Sequence, residues 1–144
     1  VYTASAKTEV FADALHDPLR MGTAPDEKIL YIADSGLSHD PKGPHHIRAF
    51  DVAGGKTLKK GRVFCKVEHG VPDGFRLDVE GNVWTSTQKG VECWSPEGKL
   101  LGRIKIPEMV ANLTFGGPRG NRLFITATTS LYAVYVGTTG AQRP

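Results

Sequence analysis

Val71-Pro-Asp-Gly-Phe-Arg-Leu-Asp-Val-Glu-Gly-Asn-Val-Trp-Thr-Ser86 reads as an entry turn, a short strand, a Gly/Asn turn and a second, richly apolar strand. The same design occurs twice more. Met21-Gly-Thr-Ala-Pro-Asp-Glu-Lys-Ile-Leu-Tyr-Ile-Ala-Asp34 precedes it, and Leu113-Thr-Phe-Gly-Gly-Pro-Arg-Gly-Asn-Arg-Leu-Phe-Ile-Thr-Ala127 follows. Self-similarity at a fixed period marks a repeat architecture and outranks local propensity.

Each apolar strand is followed by a third run, Ile47–Asp51, Gly90–Trp94 or Leu131–Tyr135. After the first two come turns, Ala53-Gly54-Gly55-Lys56 and Pro96-Glu97-Gly98-Lys99, with the glycine that a tight reversal needs where φ is positive. Fourth strands are expected at Gly61–Val67 and Lys99–Ile106. The spacing from Asp73 to the analogous Asn112 is close to the roughly 40-residue unit of a four-stranded propeller blade. The preceding unit is longer because it carries an extra loop, Ser35–Pro44, which costs little in such folds. The fold class is therefore all-β: a single β-propeller domain over 1–144, present as an incomplete arc of about three and a half four-stranded blades. Residues 1–15 read as the outer hairpin of a truncated blade, 18–67 and 72–106 as blades, and 112–137 as a partial last blade.

Hydrophobic residues make up 40% and charged residues 23%, values of an ordinary globular domain, so composition singles out no special class. The formal net charge of +3 is spread among turns, with no basic stripe interleaved by aromatics, so no nucleic acid is expected as partner. Lys56, Lys59 and Lys60 are the densest basic group and sit where lysine discourages edge pairing. No segment approaches the length of a membrane span, and no membrane partner is expected. Open blade edges would favour self-association. Cys65 and Cys93 show no CxxC spacing and read as buried thiols, although spacing leaves a disulfide undecided. Nothing in the chain fixes a cellular compartment.

In an antiparallel blade, the loop entering the first strand and the loop joining the second to the third open on one face. Asp73, the Ser35–Pro44 loop, Thr87–Lys89 and Asn112 should therefore meet at the mouth of the central tunnel. A carboxylate there is a hard-oxygen ligand suited to calcium. Pro-Asp-Gly is also a common composition for a plain reversal, and the residues leave both readings open. Asn112, at the place equivalent to Asp73, could face substrate hydroxyls or simply end the Pro107–Ala111 turn. His39, Asp40, His45 and His46 have no zinc-site spacing and read as a solvated loop, with His69 as a loop residue. Ser35, Ser86 and Ser130 lie in no nucleophile elbow. Tyr31, Trp84 and Phe124 occupy equivalent second-strand positions and read as inter-blade core.

The succession Ala24–Gly36, His46–Val52, Gly61–Phe64, Gly70–Phe75, Asp78–Trp84 and Asn112–Pro118 resembles the gluconolactonase family, also called the regucalcin or senescence-marker-protein family, over nearly the whole chain. The resemblance implies a six-bladed propeller with one divalent metal, calcium or zinc, that hydrolyses sugar lactones such as glucono-1,5-lactone to the aldonic acid. This chain would be its C-terminal half, inactive in isolation. It also implies that Asp73 is a metal ligand and the general base. Family members usually carry a second ligand, an asparagine, where this chain has Leu19, and a third, a glutamate, that would lie outside this chain. The alternative is a non-catalytic propeller, a calcium-binding or protein-interaction scaffold. Loss of the asparagine favours the scaffold, and the intact Val71–Phe75 segment favours the hydrolase.

Overall fold

The alternating runs become eleven antiparallel strands among the residues that the computed structural model describes, 15–55 and 57–141. The expected opening hairpin, except for Leu15, and Lys56 lie outside those residues. Strands β1 (Pro18–Thr23), β2 (Ile29–Asp34), β3 (His46–Ala53) and β4 (Thr57–Lys66) form one meander. A second contains β5 (Phe75–Leu77), β6 (Val83–Thr87), β7 (Gly90–Trp94) and β8 (Leu100–Lys105). The third has β9 (Val110–Gly116), β10 (Arg122–Ala127) and β11 (Leu131–Tyr135), and its first strand starts two residues before the expected 112. Together the sheets are successive blades of an incomplete propeller.

Turn chemistry sets the hairpins. Gly54 and Gly55 take φ of 60° and 65° in the β3–β4 reversal, where a side chain would be strained. The long loop after β2 is tightened by a 3-10 turn over Gly36–Ser38 and by the Leu37 N–H donating to the Pro44 carbonyl at 2.9 Å.

Successive side chains on a strand point to opposite faces, so the middle sheet packs on both sides. Phe75, Leu77 and Val83 meet Tyr31, Ala33, Ile47 and Ala49 of the first sheet. On the other face Val91, Trp84 and Ile104 meet Val110, Leu113, Leu123 and Ile125 of the third. Burying one such aliphatic side chain contributes about 1.5–3 kcal/mol. Tyr31 and Trp84 thus join the inter-blade layers as expected. Phe124 does not: its neighbours Leu123 and Ile125 take the buried face, and it points the other way, beneath the Arg122 guanidinium at 5.1 Å.

The inner strands β1, β5 and β9 lie side by side. At the end of the molecule away from their entry points, Asp78 is fully buried and accepts four hydrogen bonds. The C-terminal segment returns to this place: Ala141 N–H donates to the Leu77 carbonyl at 2.9 Å and Val79 N–H to the Thr139 carbonyl at 3.0 Å.

Candidate functional site

Asp73 sits where the chain enters β5, and the backbone on both sides of it is gripped. The Ser35 hydroxyl, buried at the end of β2, donates to the Pro72 carbonyl at 2.6 Å. The Ser86 hydroxyl accepts the Gly74 N–H at 2.9 Å and donates to the Ala111 carbonyl at 3.1 Å, while Ser86 N–H bonds the Gly74 carbonyl at 2.8 Å. Each serine thus ties the end of one sheet's second strand to the entry of the next sheet. Gly74 is required for a steric reason, because a Cβ there would collide with the Asn112 side chain and Cα. The adjacent sheets approach too closely at this point for any side chain.

Held in this way, the Asp73 side chain is 34% exposed and faces a pocket of about 350 Å³ that Thr87, Gln88, Met109, Ala111 and Thr128 also line. The entry to β5, the β6–β7 connection and the β10–β11 connection therefore share one face. The Ser35–Pro44 loop reaches this entry through the Ser35 bond to Pro72.

Strand register changes the place of Asn112. Ser86 pairs with Val91, and Thr126 holds the same place in its sheet, paired with Leu131. Gly74 stands opposite Ser86 through the backbone bond, and Asn112 opposite Thr126. Asn112 is therefore level with Gly74 rather than with Asp73. The Asn112 side chain turns towards Gly74 and accepts the Leu113 N–H at 2.9 Å instead of lining the pocket. In the first sheet Ala33 pairs with Arg20 and Asp34 with Pro18, so Leu19 sits in the irregularity between them, at the corresponding strand entry.

Arg20 is a neighbour that sequence reading did not foresee. Its Nη2 lies 3.9 Å from Asp73 Oδ1, with the side chain 48% exposed. A half-exposed pair of this kind contributes little to stability, about 0–1 kcal/mol, and its consequence is the positive charge it sets beside the Asp73 carboxylate.

Two further polar clusters frame this face. Buried Asp34 accepts the Asp17 N–H at 2.9 Å and stands 3.8 Å from His46 Nε2 and 3.6 Å from His16 Nδ1. Burial holds His46 below its ordinary value of 6.5 against the opposing pull of Asp34, so the ring is neutral at neutral pH. His46 is thus a partly buried strand residue rather than part of a solvated loop, whereas His39 stays exposed, 3.3 Å from Asp17. On the other side Glu108 accepts the Thr129 N–H at 2.7 Å and the Tyr132 hydroxyl at 2.6 Å. Hydrogen bonds from Ser130, Tyr132 and Thr129 hold its carboxyl down to about 2. Glu108 fastens the β10–β11 connection beside Met109 and Thr128 of the pocket wall.

The described residues of this chain do not by themselves make a site for the implied calcium or zinc. Among the described residues no three His, Cys, Asp or Glu side chains gather as a metal-binding group. At the neighbouring strand entries stand Leu19 and Ala111, which have no side-chain donor, and the charge beside Asp73 is the Arg20 guanidinium, which repels a cation.

The profile of the SMP-30/Gluconolactonase/LRE-like region matches residues 1–129. Lactonohydrolase oryL of Aspergillus oryzae is 31% identical over 130 residues, 78% of this chain and 30% of the relative. The gluconolactonase of Zymomonas mobilis is 26% identical over 139 residues, 93% of this chain and 39% of the relative. Among solved structures, a gluconolactonase from Xanthomonas campestris superposes with a TM-score of 0.76 at 34% identity, over 88% of this chain and 40% of its own. The chain thus spans well under half the length of these relatives. A luciferin-regenerating enzyme with a TM-score of 0.78 at 23% identity shares the fold. A match over residues 1–129, on a propeller arc whose inner-strand entry carries Val71-Pro-Asp-Gly-Phe75, places this chain in the SMP-30/gluconolactonase/LRE-like family.

Proposed function

We propose that this chain carries the general base of a lactone hydrolase that opens a sugar lactone such as glucono-1,5-lactone to its aldonic acid. The observation behind this reading is Asp73: a carboxylate fixed through both flanking residues, yet one third exposed to a pocket of about 350 Å³. The names of relatives, gluconolactonase and lactonohydrolase, supply the substrate class.

In this mechanism a water molecule hydrogen-bonded to the Asp73 carboxylate attacks the lactone carbonyl carbon, and Asp73 takes its proton. Collapse of the tetrahedral intermediate breaks the bond from the acyl carbon to the ring oxygen, which becomes the hydroxyl of the open acid on gaining a proton. The product is a carboxylate. The Thr128 hydroxyl and the Gln88 amide, on the pocket wall, are suited to a polyhydroxylated ring, whereas the buried Thr87 hydroxyl is taken up by Gly90 and Lys89 of its own turn. Gripping the Asp73 backbone from two neighbouring strands fixes the base at low entropic cost, and a positioned base of this kind is worth about 10²–10⁴-fold in rate.

The test is acid release from glucono-1,5-lactone by the protein expressed from its full reading frame. Asp73→Asn is expected to lower kcat about a hundredfold or more. Unchanged turnover in that variant removes the role. The 144 residues alone, spanning 30% and 39% of the two fungal and bacterial relatives, are expected to be inactive, and robust hydrolysis by them would overturn this. Leu19, at the corresponding strand entry, favours one second reading, a non-catalytic propeller that uses this face for a protein partner. Absence of lactone turnover in the full-frame protein selects it.

A further inference from the structure

We infer that Arg20 supplies the positive charge beside Asp73, and that the half-exposed surface at this ion pair takes a carboxylate or carbonyl oxygen on a guanidinium instead of on a bound divalent cation. The inference rests on the same carboxylate as the lactonase reading but not on turnover. Three observations carry it. Arg20 Nη2 reaches from the first sheet to within 3.9 Å of Asp73 Oδ1. Pro18 and Arg20 pair with Asp34 and Ala33 on either side of Leu19, so this strand entry brings a leucine and a guanidinium, and no oxygen-bearing side chain, beside Asp73. The third sheet offers Ala111 at its own entry.

Calcium binds oxygen at about 2.3–2.6 Å and gathers six to eight donors. On Asp73 it would sit roughly 5 Å from the guanidinium, with neutral threonine and glutamine oxygens as its other side-chain partners in the pocket wall. Repulsion between a single and a double positive charge at roughly that distance, in a water-like dielectric with ordinary salt, lowers affinity about fivefold. The guanidinium is itself well matched to planar oxygens, since its N–H edges can hold both oxygens of a carboxylate. Half-exposed, it can turn from Asp73 to a ligand without leaving a buried charge unpaired. The ligand class is a sugar acid or its lactone, bound through the C1 oxygens.

The experiment titrates the full-frame protein by calorimetry, at constant ionic strength, with calcium chloride, zinc chloride and sodium gluconate. Wild type, Arg20→Ala, Arg20→Gln and Asp73→Asn are compared, with circular dichroism as the check of fold. Wild type is expected to show no cation binding that Asp73→Asn abolishes, and Arg20→Ala, freed of the repulsion, to bind calcium no more weakly than wild type. Gluconate should bind wild type equally with and without chelator, and at least tenfold more weakly once the guanidinium is gone. Arg20→Gln keeps the bulk of the side chain and should follow Arg20→Ala, which covers the case in which alanine disturbs the fold. Asp73-dependent calcium or zinc binding in wild type overturns the inference, as does gluconate binding that either arginine variant leaves unchanged. Absence of lactone turnover alongside the expected titrations sinks the hydrolase reading and leaves this one standing.

Discussion

Asp78→Asn should be among the most damaging single-atom changes available in the middle sheet. The wild-type carboxylate is fully buried, and its Oδ1 accepts the Glu80 and Asn82 backbone N–H groups at 3.0 and 2.9 Å. Oδ2 accepts Asn82 Nδ2 and Trp84 Nε1, both at 2.9 Å. An asparagine keeps one oxygen, which can serve the backbone pair, but turns an NH2 group towards two donors. Two hydrogen bonds to an ionised acceptor are lost, each worth about 1.5–3 kcal/mol, so the expected destabilisation is about 3–6 kcal/mol. For a chain of this size that lowers Tm by roughly 10–20 °C. Urea unfolding followed by tryptophan fluorescence suits the measurement, because Trp84 and Trp94 both lie in the middle sheet. Glu80→Gln, on an exposed residue of the same turn that keeps an oxygen for the 3.2 Å bond from Asn82 Nδ2, is the control and should shift the midpoint little. A cost below about 1 kcal/mol for Asp78→Asn would refute the claim that this carboxylate organises the turn.

Two further outcomes are expected. The Glu108 carboxyl, held to about 2 in the fold against an ordinary 4.5, strengthens the fold fully above pH 4.5, and that contribution drains away as pH falls towards 2. Melting temperature followed from pH 5 to 2 should therefore drop more steeply in wild type than in Glu108→Gln, and parallel curves would disprove the clamp. Burial pushes the Cys65 and Cys93 thiols up to about 12, so both should ignore a disulfide reagent at pH 8 in the native protein and react only as urea unfolds it. Rapid labelling of either thiol without loss of tryptophan signal would contradict this.

The strands were legible because alternation and turn residues are local: Gly54-Gly55 and Pro96-Glu97-Gly98 mark reversals without knowledge of any neighbour. The face on which Asp73 opens was legible as well, since an antiparallel meander fixes which connections share an end. Register was not. Counting from one turn motif to the next sets Asn112 at the Asp73 level, whereas the ladder sets Asn112 opposite Thr126, the Gly74 place, and leaves Ala111 in an irregularity between Val110 and Asn112 that no residue type announces. The serine clasps were hidden for another reason. Ser35 and Ser86 act on carbonyls 37 and 25 positions away, and a hydroxyl bound to a distant backbone leaves no local pattern. Their shared place near the ends of second strands was the available signal. Arg20 is not legible because an arginine in a strand entry carries no local sign that its guanidinium meets Asp73, a residue of the next sheet. Phe124 followed the repeat in sequence but not in packing, because its face meets no further sheet among the described residues.

The return of the tail to Leu77 and Val79 has a mechanical consequence. Everything from β9 to β11 lies between two fastenings to the middle sheet, so tension applied to the chain just beyond Ala141 would first load the Ala141–Leu77 and Thr139–Val79 bonds. In a pulling experiment the terminal sheet would be shielded until that clasp gives way, and would then release its length in one step.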